Sequence, residues 1–170
     1  MVSQQGGRVL RGGALPPALL CSALGLALAF APRRAWVASL VALVATAAAL
    51  ELMPVPRAWL EAVFLGGWMS VAASAAMVHL SRGLSRGGAL ALSLNAGIWS
   101  GAETALAGSG ADLAKALGCV LLLLPAALIL GCRAPVILKV VSSWLIAVAI
   151  LAAALQFLPV TPGYLPDHLD

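Results

Sequence analysis

The chain has 170 residues, of which 62% are hydrophobic and only 9% charged, with a mean hydropathy of +1.04. A water-soluble domain carries roughly 25% charged residues, so this composition points to a lipid bilayer and leaves no room for a sizeable soluble catalytic or nucleic-acid-binding domain. The net charge of +4 and pI near 9.5 do not indicate nucleic acid, because the basic residues stand singly or in pairs at the ends of apolar runs and form no phosphate-binding stretch.

A helical span needs about 20 apolar residues, and six runs meet that ruler in chain order, at 14–31, 36–53, 59–80, 89–107, 112–131 and 136–158. The segments 1–13 and 159–170 are polar tails. The first run follows Arg8 and Arg11 and invites a secretory-leader reading, but Pro32 and Arg33-Arg34 directly after Ala29-Phe30-Ala31 favour a retained helix. Pro16-Pro17 shorten its regular part, so the alternative to six spans is five plus a re-entrant or interfacial first segment. The intervening stretches, such as Pro54-Val55-Pro56-Arg57 and Gly108-Ser109-Gly110, are built from turn formers. Connections this short predict that successive helices lie antiparallel and adjacent. The apolar runs are continuous and do not alternate with period two, which excludes a β-barrel. The expected fold is therefore all-α, a polytopic integral membrane bundle in one domain.

Charge sorts by side. Counting crossings from the N-terminal tail, all six carboxylates fall on one face: Glu51, Glu61, Glu103, Asp112, Asp167 and Asp170. The other face receives Arg33, Arg34, Arg82, Arg86, Arg133 and Lys139 and no acid. The positive-inside rule then puts the loops holding Arg33/Arg34, Arg82/Arg86 and Arg133 in the cytoplasm and the carboxylate-rich face outward. Arg outnumbers Lys, and Ala, Leu and Gly dominate, a usage that looks like a GC-rich bacterium and so suggests an inner membrane.

The fourth run is the most informative. Ser93, Gly97, Gly101 and Ala105 recur every four residues and allow close approach of another helix. About 200° around it run Asn95, Trp99 and Glu103. Neither stripe suits lipid, which predicts a central fourth helix contacted on two sides. The third run carries a matching ridge, Ala62, Gly66, Ser70 and Ser74, expected to pack on the small face of the fourth. Glu51, Glu61, Glu103 and Asp112 could form an outer acidic vestibule that collects a cation or proton, with Glu103 deepest and Asn95 assisting. The bland alternative pairs Glu61 with Arg57 and Asp112 with Lys115 and sends Glu51 to interfacial water. Arg11-Gly12-Gly13-Ala14-Leu15 and Arg86-Gly87-Gly88-Ala89-Leu90 are identical, either by coincidence in a Gly/Ala/Leu-rich chain or because two three-helix halves repeat with inverted topology.

Several chemistries have no footing. His79 and His168 belong on opposite faces, which argues against a shared haem or zinc site, and no cofactor or metal is expected. Cys21, Cys119 and Cys132 read as small apolar fillers. Lys139 can snorkel to the inner interface, Gln156 reads as interfacial, and Pro125 should bend the fifth helix. Motifs for thiol redox, metalloprotease, serine hydrolase and phosphate-cradling chemistry are missing, so no enzyme activity is expected. Two functions remain. One is a transporter or channel component for a cation, proton or small solute; the other is a non-catalytic accessory or assembly subunit of a larger membrane complex. The partners would be the bilayer and either other copies of the chain or other membrane subunits, not nucleic acid. Water reaching Glu103 would favour transport, whereas a Glu103 sealed by helix contact would favour the accessory role.

Overall fold

The computed structural model describes residues 15–80, 83–131 and 135–157. The tails with Arg8, Arg11, Asp167, His168 and Asp170, together with Arg82, Cys132 and Arg133, lie outside the described residues.

Six helices follow in order: α1 Leu15–Ala29, α2 Arg33–Glu51, α3 Arg57–His79, α4 Arg86–Ala107, α5 Gly110–Leu130 and α6 Pro135–Leu155. No strand occurs among the described residues. Four of them, α2, α3, α5 and α6, are long and apolar enough to cross a bilayer, and the chain is a helical membrane bundle. Helix α4 has the length but is diluted by Ser, Asn, Gly, Glu and Thr. A helix of that composition is tolerated in a membrane when protein surrounds it, and α4 is flanked by α1, α2, α3 and α5.

Helix α1 is the shortest of the apolar helices among the described residues. Its 15 described residues rise about 22 Å, and the helix is buried within the bundle. Leu20, Leu24 and Leu28 are completely buried, and α1 contacts α3, α4, α5 and α6. An interfacial helix needs one polar face, and α1 is apolar on every side, which suits the middle of a bundle. Pro16 and Pro17 sit in its first turn, where their missing N–H groups would have no intrahelical partner anyway.

The prediction that successive helices pack side by side fails for the first three. Helix α2 packs chiefly on α4, and α3 on α6 and α1, while α1·α2 and α2·α3 are not substantial contacts. The reason is side-chain size. A short loop fixes where a helix restarts but not which face it uses, and the deepest available groove for α2 is the one that Gly97 and Gly101 cut into α4. A Cβ on Gly97 would overlap Thr46 Oγ1 and lie 2.8 Å from Leu43 O; one on Gly101 would lie 2.5 Å from Ala47 O and 2.8 Å from Leu50 Cβ. The contacts advance together along both helices, so α2 and α4 run parallel.

The duplicated Arg-Gly-Gly-Ala-Leu is matched by the helices. A shift of 75 positions takes Arg11 to Arg86 and lays α1 on α4, α2 on α5 and α3 on α6, with their starts agreeing to within four residues. Contacts follow the same shift. Gly25 of α1 meets Val120 O and Leu123 N of α5, positions whose counterparts are Ser100 on α4 and Ala45 and Ala48 on α2, beside the observed Gly101·Ala47 approach. The relation is incomplete, since α1 packs on α3 whereas α4 makes no comparable contact with α6.

At Pro125, where the sequence predicts a bend, the helix shows a change of winding. The proline cannot donate to Leu121 O, and α5 narrows into a 3-10 turn at Val120–Leu122 just before it. Between α3 and α4, Gly83 takes φ +69° and Leu84 N–H donates to Phe30 O at 3.2 Å, tying that loop to the end of α1.

Candidate functional site

The polar edge of α4 faces α3, not lipid. Asn95 Nδ2 donates to Ser70 Oγ at 2.8 Å, and Trp99 Nε1 donates to Asn95 Oδ1 at 3.0 Å. The six-membered ring of Trp99 lies on Gly66, where any Cβ would overlap it. One turn further along, Glu103 is 3% exposed and its carboxylate rests on Gly67, in space a Cβ would occupy. Two adjacent glycines on α3 thus seat the indole and the carboxylate in turn.

This arrangement corrects the expected pairing of ridges. The small face of α4, with Ser93, Gly97 and Gly101, is filled by α2, and the α3 ridge of Gly66 and Ser70 meets the polar edge of α4 instead. Size decides it: α2 offers Ala47 and Thr46 at closest approach, whereas α3 must leave room for an indole and a carboxyl group. Ser74 is fully buried two turns beyond Gly67. Gly67 was not singled out from the sequence, although its place in the Gly66-Gly67 doublet was the available signal. Thr46, which meets Gly97, carried no such signal.

Both Glu103 oxygens lack a hydrogen-bond partner, as do the hydroxyls of Ser39, Ser74 and Ser93. An unpartnered carboxyl group in an apolar seam is costly to keep. Ser100 and Thr104, its neighbours on α4, turn their hydroxyls to the carbonyls of Ala96, Ser100 and Gly101 and do not reach it.

The other candidate acids are not gathered around Glu103. Asp112 belongs to its own helix start: Oδ2 accepts from Ser109 N–H at 3.1 Å and Ser109 Oγ at 2.8 Å, and Oδ1 lies 3.6 Å from Lys115 Nζ. That is a cap and a surface pair. Glu51 is half-buried with Oε1 near Gly110, at the N-terminus of α5, where a negative charge is favoured. Glu61 is exposed, and among the described residues the only ion pair is Asp112–Lys115, so the Glu61–Arg57 pairing does not form. The vestibule therefore reduces to Glu103 with the Ser70–Asn95–Trp99 chain below it.

A cavity of about 370 Å³ opens between α1, α5 and α6, walled by Leu19, Leu26, Pro125, Val141 and Trp144. It is apolar, and Glu103 does not line it. At the far end of α3, His79 Nε2 lies 3.0 Å from Ser142 Oγ and 3.4 Å from Ser143 Oγ, joining α3 to α6. Among the described residues no three His, Cys, Asp or Glu side chains are grouped to hold a metal ion. Comparison of the chain with family models, with curated proteins and with solved structures returns no match.

Proposed function

We propose that this protein is a small carrier or channel component for a proton or small cation, with Glu103 as the group that takes up and releases it. The observation behind this reading is that both oxygens of the buried Glu103 carboxylate lack a hydrogen-bond partner; its closure against Gly67 counts toward the second reading below. A bundle that only had to hold together would place an apolar side chain there, and the repeat-related position on α1 does carry one, Leu28. Burial without a partner makes the charged and neutral forms of an acid respond strongly to what occupies the site, which is the property a coupling residue uses. The partial correspondence of α1–α3 with α4–α6 is the kind of internal repeat on which alternating-access carriers are built. Asn95 and Trp99 would line the path. In this reading the protein performs no covalent catalysis and needs no cofactor. It lies in a bacterial inner membrane with its Arg33/Arg34 and Arg86 ends cytoplasmic and Glu103 toward the outside, alone or with further copies.

The test is flux in proteoliposomes carrying the purified chain, with internal pH followed under an imposed potassium diffusion potential and sodium uptake measured in parallel. Glu103→Gln should cut the flux at least tenfold while the protein stays folded and abundant. Flux equal to wild type removes Glu103 from the path.

A second reading, a non-catalytic subunit of a larger membrane complex, is favoured by the closure around Glu103. The small ridges cannot be its docking surface, because Gly97, Gly101 and Gly66 are occupied within the chain. The outer face of α2 is the better seat, with Val37, Val41 and Val44 at helical spacing and exposed. Val41→Trp should then release the chain from a partner that co-purifies with wild type, and co-purification unaffected by it counts against docking there.

A further inference from the structure

The two halves of the chain differ most where α4 meets α3. Under the 75-position shift, Asn95, Trp99 and Glu103 correspond to Leu20, Leu24 and Leu28 of α1, each completely buried, and Gly66 and Ser70 correspond to Val141 and Leu145 of α6. The α1·α6 side carries no such polar chain and is not closed: Val141 and Leu145 wall the apolar cavity there, and Val141 is exposed. The α3·α4 seam, by contrast, is closed by the Ser70–Asn95–Trp99 chain and the glycines that seat the indole and the carboxylate.

We propose that Trp99 is a gate, and that Asn95 and Ser70 are the positioning residues that latch it shut below Glu103. This rests on the reading of Glu103 as the exchangeable group. The indole is held at both ends: its N–H donates to Asn95 Oδ1, Asn95 is itself fixed by its bond to Ser70 Oγ across the seam, and the far ring edge beds on Gly66. Trp99 stands one turn before Glu103 on the same edge of α4, on the side toward the middle of the helix, so the ring closes the seam between the carboxylate and the opposite end of the bundle. Gly66 lets the ring seat without holding it by a side chain. The latch crosses the seam by a single hydrogen bond, Asn95 to Ser70, while the Trp99–Asn95 bond lies within α4. Interhelical hydrogen bonds in membranes are individually weak, so this one can open often enough to pass an ion. Breaking the Ser70–Asn95 bond frees the amide, and with it the indole. The seam then admits water to both carboxylate oxygens, which have no protein partner to leave.

Accessibility of Glu103 to a water-soluble, membrane-impermeant carbodiimide reads the gate without any flux. The full chain in sealed liposomes is treated from inside and outside, and peptide mass spectrometry gives modification of Glu103 relative to the exposed Glu61. Wild type should modify slowly at Glu103. Asn95→Ala and Trp99→Ala should raise the ratio about tenfold or more, Ser70→Ala should raise it by a smaller factor, and Ser70→Thr, which restores the hydroxyl, should return it to the wild-type value. Gly101→Ala, which loosens the α2·α4 side without touching the latch, controls for general destabilisation and should leave the ratio unchanged. Wild-type ratios in both Asn95→Ala and Trp99→Ala, or an equal rise in Gly101→Ala, overturn the gate. The two proposals fail separately: an opened latch with Glu103-independent flux sinks the carrier and spares the gate, whereas Glu103-dependent flux with an unmoved ratio does the reverse.

Discussion

Gly101→Ala sets two helix effects of opposite sign against each other. Replacing a helical glycine by alanine is worth about 1 kcal/mol in favour of the helix. At Gly101 the new methyl would lie 2.5 Å from Ala47 O, 3.0 Å from Ala47 Cα and 2.8 Å from Leu50 Cβ. Two of these three atoms are backbone and cannot rotate away, so α2 must shift outward by several tenths of an ångström along the whole contact. Overpacking of this kind costs typically 1–3 kcal/mol, and the Ala47 carbonyl places the cost toward the upper end, for a net loss of about 1–2 kcal/mol. Gly118→Ala is the matched control, since a Cβ there meets nothing within 4 Å; it should gain up to about 1 kcal/mol. Because α2 packs chiefly on α4, the loss should appear as release of α2, read as faster proteolysis in the segment between Glu51 and Arg57 together with a lower melting temperature in detergent. If Gly101→Ala melts at or above Gly118→Ala and its loop is no easier to cut, the close α2·α4 approach is wrong.

Three further outcomes follow from single contacts. Leu24→Ala empties a fully buried position in α1 and should cost about 2–4 kcal/mol in reversible unfolding, where an α1 lying at the membrane surface would lose little. Ser109→Ala removes the hydroxyl that binds Asp112 at the start of α5 and should cost about 1 kcal/mol in the same assay, while Lys115→Ala, whose side chain is mostly exposed, should change almost nothing. Gly83→Ala forces a Cβ onto φ +69° and should cost roughly 1–2 kcal/mol, whereas the neighbouring helical Gly87→Ala, with open space around it, should be neutral or better.

The polar contact between α3 and α4 was half legible in the chain. Asn95, Trp99 and Glu103 at four-residue spacing could be placed on one edge that lipid would reject, because helical periodicity and the cost of polar groups in hydrocarbon are local facts. Ser70 and Gly66 could be placed on one ridge of α3 for the same reason. That this ridge meets that edge, and not the glycine face of α4, could not be read. It depends on a competition between α2 and α3 for the groove at Gly97 and Gly101, won by the helix presenting Ala47 and Thr46. Asp112 illustrates the converse, since its spacing to Ser109 and Lys115 is local and its role as a cap needed no tertiary information.

By itself, then, the order of residues determined an all-helical membrane bundle, the approximate extents of its helices and the edge of α4 that carries its polar side chains, because each follows from hydropathy and periodicity within a single helix. Tertiary structure alone decided that the short first helix fills the centre, that α2 lies against α4 and away from its neighbours in sequence, and that Glu103 is shut against Gly67 while Asp112 and Glu51 serve the start of α5. In lipid every apolar face is already content, so partners are chosen by the fit of side-chain relief between helices, and that fit exists only once all six are present.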